Sequence, residues 1–299
     1  MAIAFLFPGQ GSAEVGMGAE LFEREPTVGE YFERVSALLG RDLKAITLEG
    51  PEETLVATEN AQPAIFALSA ACHDLFGERC PVAADFYAGH SLGEFTALYA
   101  AGALSLEDAA SLVCRRGRFI ADACAENPGT MAAVMGLADD VVEEVCREAS
   151  PAGLVVAANY NGPGQLVVSG TAEGVARAGE LAAERGGKFV PLKVSGAFHS
   201  PLVAGAAERM KDALRGAAIE PPNAAFIANA SGKVASQPEV IRDLLYKQIA
   251  HPVRWSQTLD RMVAGDVTTV VEFGPGRVLS GMFKKVKRDV RVYTVNDPA

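Results

Sequence analysis

Phe86-Tyr87-Ala88-Gly89-His90-Ser91-Leu92-Gly93-Glu94-Phe95-Thr96-Ala97-Leu98-Tyr99-Ala100 is the stretch from which the rest of the sequence is best read. An apolar run leads into Gly89-His90-Ser91-Leu92-Gly93, and a helix-like run follows. A G-x-S-x-G pattern in that context closes a strand, turns the chain sharply and opens a helix at the serine. The glycines allow close backbone approach, and the Ser91 hydroxyl is lifted clear of the sheet. The Leu92 amide faces the same space, where it could bind a developing oxyanion. Ser91 is thereby a candidate nucleophile. The competing reading is a glycine-flanked serine that only caps a helix.

Outward from this turn, the chain alternates strand and helix. Ile3–Phe7 reads as a buried strand that runs into the loop Pro8-Gly9-Gln10-Gly11-Ser12. Helical periodicity covers residues 27–39 and 62–76, the latter with Ile65, Leu68, Cys72 and Phe76 on one stripe. Ser105-Leu106-Glu107-Asp108 is a capping signal that opens a helix to about Cys124. After Asn127-Pro128-Gly129 the pattern becomes strand 131–135, helix 139–149, strands 154–158 and 165–169, helix 171–185 and strand 188–192. That βαββαβ order is the ferredoxin-like unit, and it predicts an inserted subdomain over 128–194. Residues 1–127 and 195–299 then form one large domain. Its second part reads as helix 200–215, strand 225–228, helices 238–250 and 255–264, strand 268–273 and a short helix after Gly274-Pro275-Gly276. Such alternation predicts an α/β fold with a mostly parallel sheet covered on both faces.

Composition narrows the function classes. A net charge of −10 argues against a nucleic-acid or anionic-membrane partner. The apolar opening Met1–Phe7 has no basic flank and stops at Pro8, so it reads as a strand and not as a secretory signal. No apolar run is long enough to span a bilayer. The five cysteines are odd in number and dispersed, with no C-x-x-C, which fits reduced thiols in a cytoplasmic protein. The four histidines have no metal-ligand spacing with them, so no metal is expected.

A nucleophilic serine needs a base. His73 lies mid-helix, His90 should leave the turn in another direction, and His251 sits at a helix end. His199 stands in the loop Ser195-Gly196-Ala197-Phe198-His199-Ser200-Pro201, where catalytic groups are commonly carried, and is favoured on position. Arg116 shares an apolar stripe with Ala109, Leu112, Val113 and Ile120. A buried arginine requires an anionic partner, either a substrate carboxylate or an internal ion pair. The Gln10 backbone could supply a second oxyanion donor, or its loop could be an ordinary turn. Lys284-Lys285-Val286-Lys287-Arg288 is a basic run, read as a solvated face or as a dock for an acidic partner.

Taken together these motifs resemble the malonyl-CoA:acyl-carrier-protein transacylase family over nearly the whole chain. The resemblance is carried by Phe7-Pro8-Gly9-Gln10-Gly11-Ser12, Gly89-His90-Ser91-Leu92-Gly93-Glu94, Arg116-Gly117, Asn159-Tyr160-Asn161-Gly162-Pro163-Gly164-Gln165, Phe198-His199-Ser200, Gln248 before Pro252-Val253-Arg254-Trp255, and Gly274-Pro275-Gly276. Gly196-Ala197-Phe198-His199 looks closest to the discrete, trans-acting acyltransferases of polyketide assembly lines. Ala13 and Ile120-Ala121 depart from the family's usual Gln and Met-Gln.

The resemblance implies an α/β-hydrolase-like large domain. It implies that Ser91 is the nucleophile, His199 the base, Arg116 the clamp for a free carboxylate, and Gln10 and Leu92 the oxyanion hole. The Gln248 backbone carbonyl would orient His199, with no triad carboxylate. Phe198 before His-Ser goes with malonyl over methylmalonyl. The implied reaction moves malonyl from CoA to the phosphopantetheine thiol of an acyl carrier protein, through an acyl-serine. It would serve polyketide or fatty-acid synthesis, with no bound cofactor, in a monomer. The rival readings are a thioester hydrolase on the same scaffold, a transferase for another carboxylated acyl group, and a non-enzymatic carrier-docking module.

Overall fold

The structure is a computed structural model and describes residues 1–296. It contains ten strands among the described residues: β1 (Ala2–Phe7), β2 (Phe86–Gly89), β3 (Thr130–Met135), β4 (Val155–Gly162), β5 (Gln165–Gly170), β6 (Lys188–Pro191), β7 (Ala225–Ala228), β8 (Lys233–Ala235), β9 (Val267–Phe273) and β10 (Arg291–Val295).

Six of them form one sheet in the order β10-β9-β1-β2-β7-β8. All its pairings are parallel except β7 with β8. β1 lies in the interior of this sheet, and Ala4 through Phe7 are all buried. Strand alternation sends successive side chains to opposite faces. Phe5 and Phe7 pack with Phe273 and the helix Thr58–Arg79 on one face. Ala4 and Leu6 pack with Trp255, Leu259, Met262 and Phe283 on the other. A strand buried on both sides is what a parallel sheet between helix layers requires.

The other four strands form a separate antiparallel sheet in the order β4-β5-β3-β6. The helices Asp139–Ala149 and Ala172–Glu184 cover one face of it, closing a core around Ala132, Val134, Val142, Leu166 and Leu181. Its opposite face carries Met131, Ala133 and Val167, against which Phe198 packs. Phe198 also packs against the main core, so it sits between the two sheets. Backbone bonds tie β4 to the larger unit: Tyr160 N–H donates to Val253 O at 2.9 Å, and Val253 N–H to Ala158 O at 2.8 Å.

The elements read from the sequence are present in order, but the short helices Ala19–Arg24, Leu43–Glu49 and Glu52–Val56 were not expected. β8 has three residues and β10 is a half-exposed edge strand, and neither was expected. Both give too little periodic signal. The helix expected over 238–250 ends at Lys247, which releases Gln248 to turn its carbonyl elsewhere. The helix expected from 200 starts as a 3-10 turn, Pro201–Val203, capped by the Ser200 hydroxyl. Cys114, Cys124 and Cys146 are buried, and burial pushes their thiols up to about 12, 11 and 12. Among the described residues, no helix is long and apolar enough to cross a membrane.

Candidate active site

Three adjacent parallel strands end at the same place. β1 delivers Gln10, β2 delivers Ser91 and β7 delivers Asn229. The carboxyl ends of neighbouring parallel strands are where such sheets gather functional groups. The turn after β2 is compressed onto β1. A Cβ on Gly93 would lie 2.1 Å from the Phe7 carbonyl oxygen, and one on Gly89 would lie 1.9 Å from the Gly93 backbone. Only glycine fits at either position. Ser91 has φ 54° and His199 φ 56°. Positive φ is uncommon outside glycine and is held here by the surroundings, as at strained functional turns.

The Ser91 hydroxyl lies 2.8 Å from His199 Nε2. His199 Nδ1 lies 2.7 Å from the carbonyl oxygen of Gln248. A carbonyl can only accept, so Nδ1 carries the proton and Nε2 presents a lone pair to the Ser91 O–H. Arg116, 2% exposed, comes in from the helix Leu106–Glu126. Its Nη2 donates to Ser91 Oγ at 3.0 Å and to Gln248 Oε1 at 2.8 Å, and its Nη1 donates to Gln62 Oε1 at 2.5 Å. Its Nε–H is buried with no acceptor in the described protein.

The structure thus brings Ser91, His199, Arg116 and Gln248 together. The backbone N–H groups of Gln10 and Leu92 make no hydrogen bond to protein among the described residues. The Gln10 side chain is used structurally: its Oε1 accepts from Thr58 Oγ1 at 2.7 Å.

The other histidines go elsewhere. His90 Nε2 bonds Asn161 Oδ1 of β4 at 3.0 Å, and its ring lies beside Trp255. His73 pairs with Asp74, and His251 with the Lys247 carbonyl. In the basic run, Lys285 reaches Gln165, and Lys287 lies 3.6 Å from Asp266.

Burial sets the electrostatics. It pulls His199 down to about 3, helped by the Arg116 charge and against the hydrogen bond to Gln248. It pulls Arg116 down to about 10, against the attraction of Glu94. It pushes the Glu94 carboxyl up to about 7, against hydrogen bonds from Asn229 and Gln248 and the Arg116 charge. His199 is therefore neutral throughout the neutral range, the state in which an imidazole can accept a proton.

Sequence reasoning assigned nothing to Asn229, Gln62 or the Glu94 side chain. Asn229 holds the turn, accepting from the Ser91 N–H at 2.6 Å and donating to Gly89 O at 2.7 Å. The available signal was a polar residue directly after an apolar strand, Ala225–Ala228. Gln62 lies on a helix buried on nearly all sides, where an amide needs partners.

The acyl transferase domain family matches residues 4–296. A malonyl CoA-acyl carrier protein transacylase of Bacillus subtilis is 44% identical over 298 residues, 99% of this chain and 94% of that protein. The crystal structure of a malonyl-CoA:acyl carrier protein transacylase from Xanthomonas oryzae pv. oryzae is 42% identical with a TM-score of 0.95, covering 100% of this chain and 96% of that one. A malonyl-transacylase in complex with a holo type II polyketide synthase acyl-carrier protein is 36% identical with a TM-score of 0.95, covering 99% of this chain and 96% of that one.

Proposed function

The chain belongs to the acyl transferase family, and from that premise we propose that Ser91 carries a malonyl group between two thiols. The activity is transfer of malonyl from CoA to an acyl carrier protein, as the names of its full-length relatives describe, with the carrier's phosphopantetheine thiol as our proposed acceptor. The observation that supports the covalent route is the 2.8 Å contact between Ser91 Oγ and a neutral, tautomer-fixed His199.

The steps follow from the geometry. His199 Nε2 takes the Ser91 proton as Oγ attacks the thioester carbonyl, and the amides of Gln10 and Leu92 receive the oxyanion. CoA leaves as the thiol, protonated from His199. The carrier thiol then gives its proton to His199 and attacks the acyl-serine, and Ser91 is restored.

The free malonyl carboxylate is received by Arg116, whose Nε–H lacks an acceptor and whose planar fork suits two oxygens. That carboxylate also offsets the charge that depresses His199, so the base strengthens when a dicarboxylic acyl group is in place. Phe198, packed between the two sheets beside His199, narrows the space for an α-substituent. We read the larger sheet as an α/β-hydrolase-like domain, and residues 128–194 as an inserted ferredoxin-like subdomain.

The test is malonyl-CoA consumption with and without phosphopantetheinylated carrier. CoA release is expected to be at least about tenfold faster with carrier, because a transferase shields its ester from water. Equal release in both, with free malonate as product, would overturn transfer in favour of hydrolysis.

A further inference from the structure

Glu94, 0% exposed in the helix Gly93–Ala100, makes no hydrogen bond to Ser91 Oγ, His199 or Arg116. Both its carboxylate oxygens face N–H donors. Oε1 accepts from the Asn229 backbone at 2.7 Å, and Oε2 accepts from Gln248 Nε2 at 2.8 Å. Those two residues hold the site together. Asn229 bridges the two sides of the serine turn. Gln248 donates to the Ser91 carbonyl at 2.8 Å, accepts from Arg116 at 2.8 Å, and lends its own carbonyl to His199 at 2.7 Å.

The orientation of the Gln248 amide is forced by chemistry. Arg116 can only donate and the Ser91 carbonyl can only accept, so oxygen faces the first and nitrogen the second. The remaining amide hydrogen therefore points at Glu94. A backbone N–H points at the other oxygen and cannot turn away. The network closes only when Glu94 accepts on both sides. A protonated Glu94 loses the charge that makes both of these hydrogen bonds charge-assisted, and so holds Asn229 and Gln248 less firmly.

We propose that Glu94, as the carboxylate, is the positioning residue of this site: it locks Asn229 and Gln248, and through the Gln248 amide it balances the charge on Arg116. This rests on the reading of Ser91 and His199 above.

The consequence is a pH limit. Burial pushes the Glu94 carboxyl up to about 7, so the form the network needs is depleted just below neutrality. Of the charged and titratable groups on the elements around it, Arg116 is the charge that acts on Glu94, and His199 and His90 flank the serine turn. Arg116 favours the carboxylate, and both histidines are held neutral by burial. The acid limb of acylation near neutrality therefore belongs to Glu94.

The experiment is rapid-quench intact mass, following malonyl-enzyme formation from pH 5.5 to 8 in wild type, Glu94→Gln and Glu94→Asp. Wild type is expected to slow below about pH 7, approaching tenfold per pH unit as for one titrating group. Glu94→Gln presents N–H to one of the two donors, so it should be roughly 10- to 100-fold slower at pH 8, the scale of one unsatisfied buried donor. It should also be flat across the range. Glu94→Asp keeps a titrating carboxylate and should keep an acid limb, which supports the proposal even if Glu94→Gln does not fold. A wild-type rate that is flat over this range, or a Glu94→Gln protein with the wild-type rate and limb, overturns the proposal. Label that persists in Ser91→Ala bears instead on the identity of the nucleophile, so the two readings fail separately.

Discussion

Arg116→Ala removes a buried cation at the serine, and its consequences can be worked from the contacts. The guanidinium lies 3.0 Å from Ser91 Oγ and donates to Gln62 and Gln248. The malonyl carboxylate proposed to sit on that guanidinium would form a buried, charge-assisted pair with it. Removing one partner of such a pair costs about 2–5 kcal/mol. Transfer of malonyl should therefore fall by roughly 30- to 5,000-fold in kcat/KM. An acetyl group has no carboxylate to lose. Its transfer should fall far less, and it can rise, because the charge that depresses His199 is gone and the base is stronger. The assay is kcat/KM for malonyl-CoA and acetyl-CoA with the same holo carrier protein. Equal losses for both substrates would refute the reasoning and make Arg116 a structural residue that holds Gln62 and Gln248.

Phe198→Ser should improve methylmalonyl relative to malonyl by about 1–3 kcal/mol at most, the usual worth of a methyl-sized change in a pocket; an unchanged ratio of kcat/KM would remove Phe198 from substrate selection. His199 gives a stability prediction whose sign follows from its lowered value. The unfolded chain takes up a proton below the ordinary histidine value of 6.5, while the folded site refuses it until about 3. Its contribution is present above pH 6.5 and is lost as pH falls towards 3, by up to roughly 1.4 kcal/mol per pH unit. Glu94 acts in the opposite sense: its raised value favours folding below 4.5, and that contribution is lost as pH rises through about 7. Below pH 4.5 the His199 slope stands alone of the two, so His199→Ala should show a shallower loss there by urea unfolding. An unchanged slope would show that His199 takes up its proton in the folded state.

The parts of this molecule legible in the sequence are those with local causes. The serine turn is one, because Gly89 and Gly93 are demanded by contacts within a few residues and with the neighbouring strand. The βαββαβ segment is another, since its alternation of periods lies within one continuous stretch and agrees with the strand order β4-β5-β3-β6. Arg116 was visible as a charge on an apolar stripe. His199 was harder, because it meets Ser91 from 108 positions away and four histidines competed. The Gln248 carbonyl has no side-chain signature at all. It was reached only through family resemblance, and in the structure it lies 2.7 Å from His199 Nδ1.

Asn229, Gln62 and the Glu94 carboxylate stayed invisible for a common reason. Each is a buried polar group whose partners arrive only when separate elements close together. β10 was missed because an edge strand of alternating exposed residues carries little hydrophobic signal.

The central claim is that Ser91 holds the malonyl group between CoA and the carrier. Intact-protein mass spectrometry, after incubation with malonyl-CoA and then with holo carrier protein, tests it most directly. Wild type should gain one malonyl group, located on the peptide containing Ser91, and should lose it to the carrier when the carrier is added. Ser91→Ala should gain nothing and transfer should drop by roughly a millionfold, the scale seen when a serine nucleophile is removed. Malonyl label that persists in Ser91→Ala, or that stays on the wild-type enzyme after carrier is added, would contradict the account.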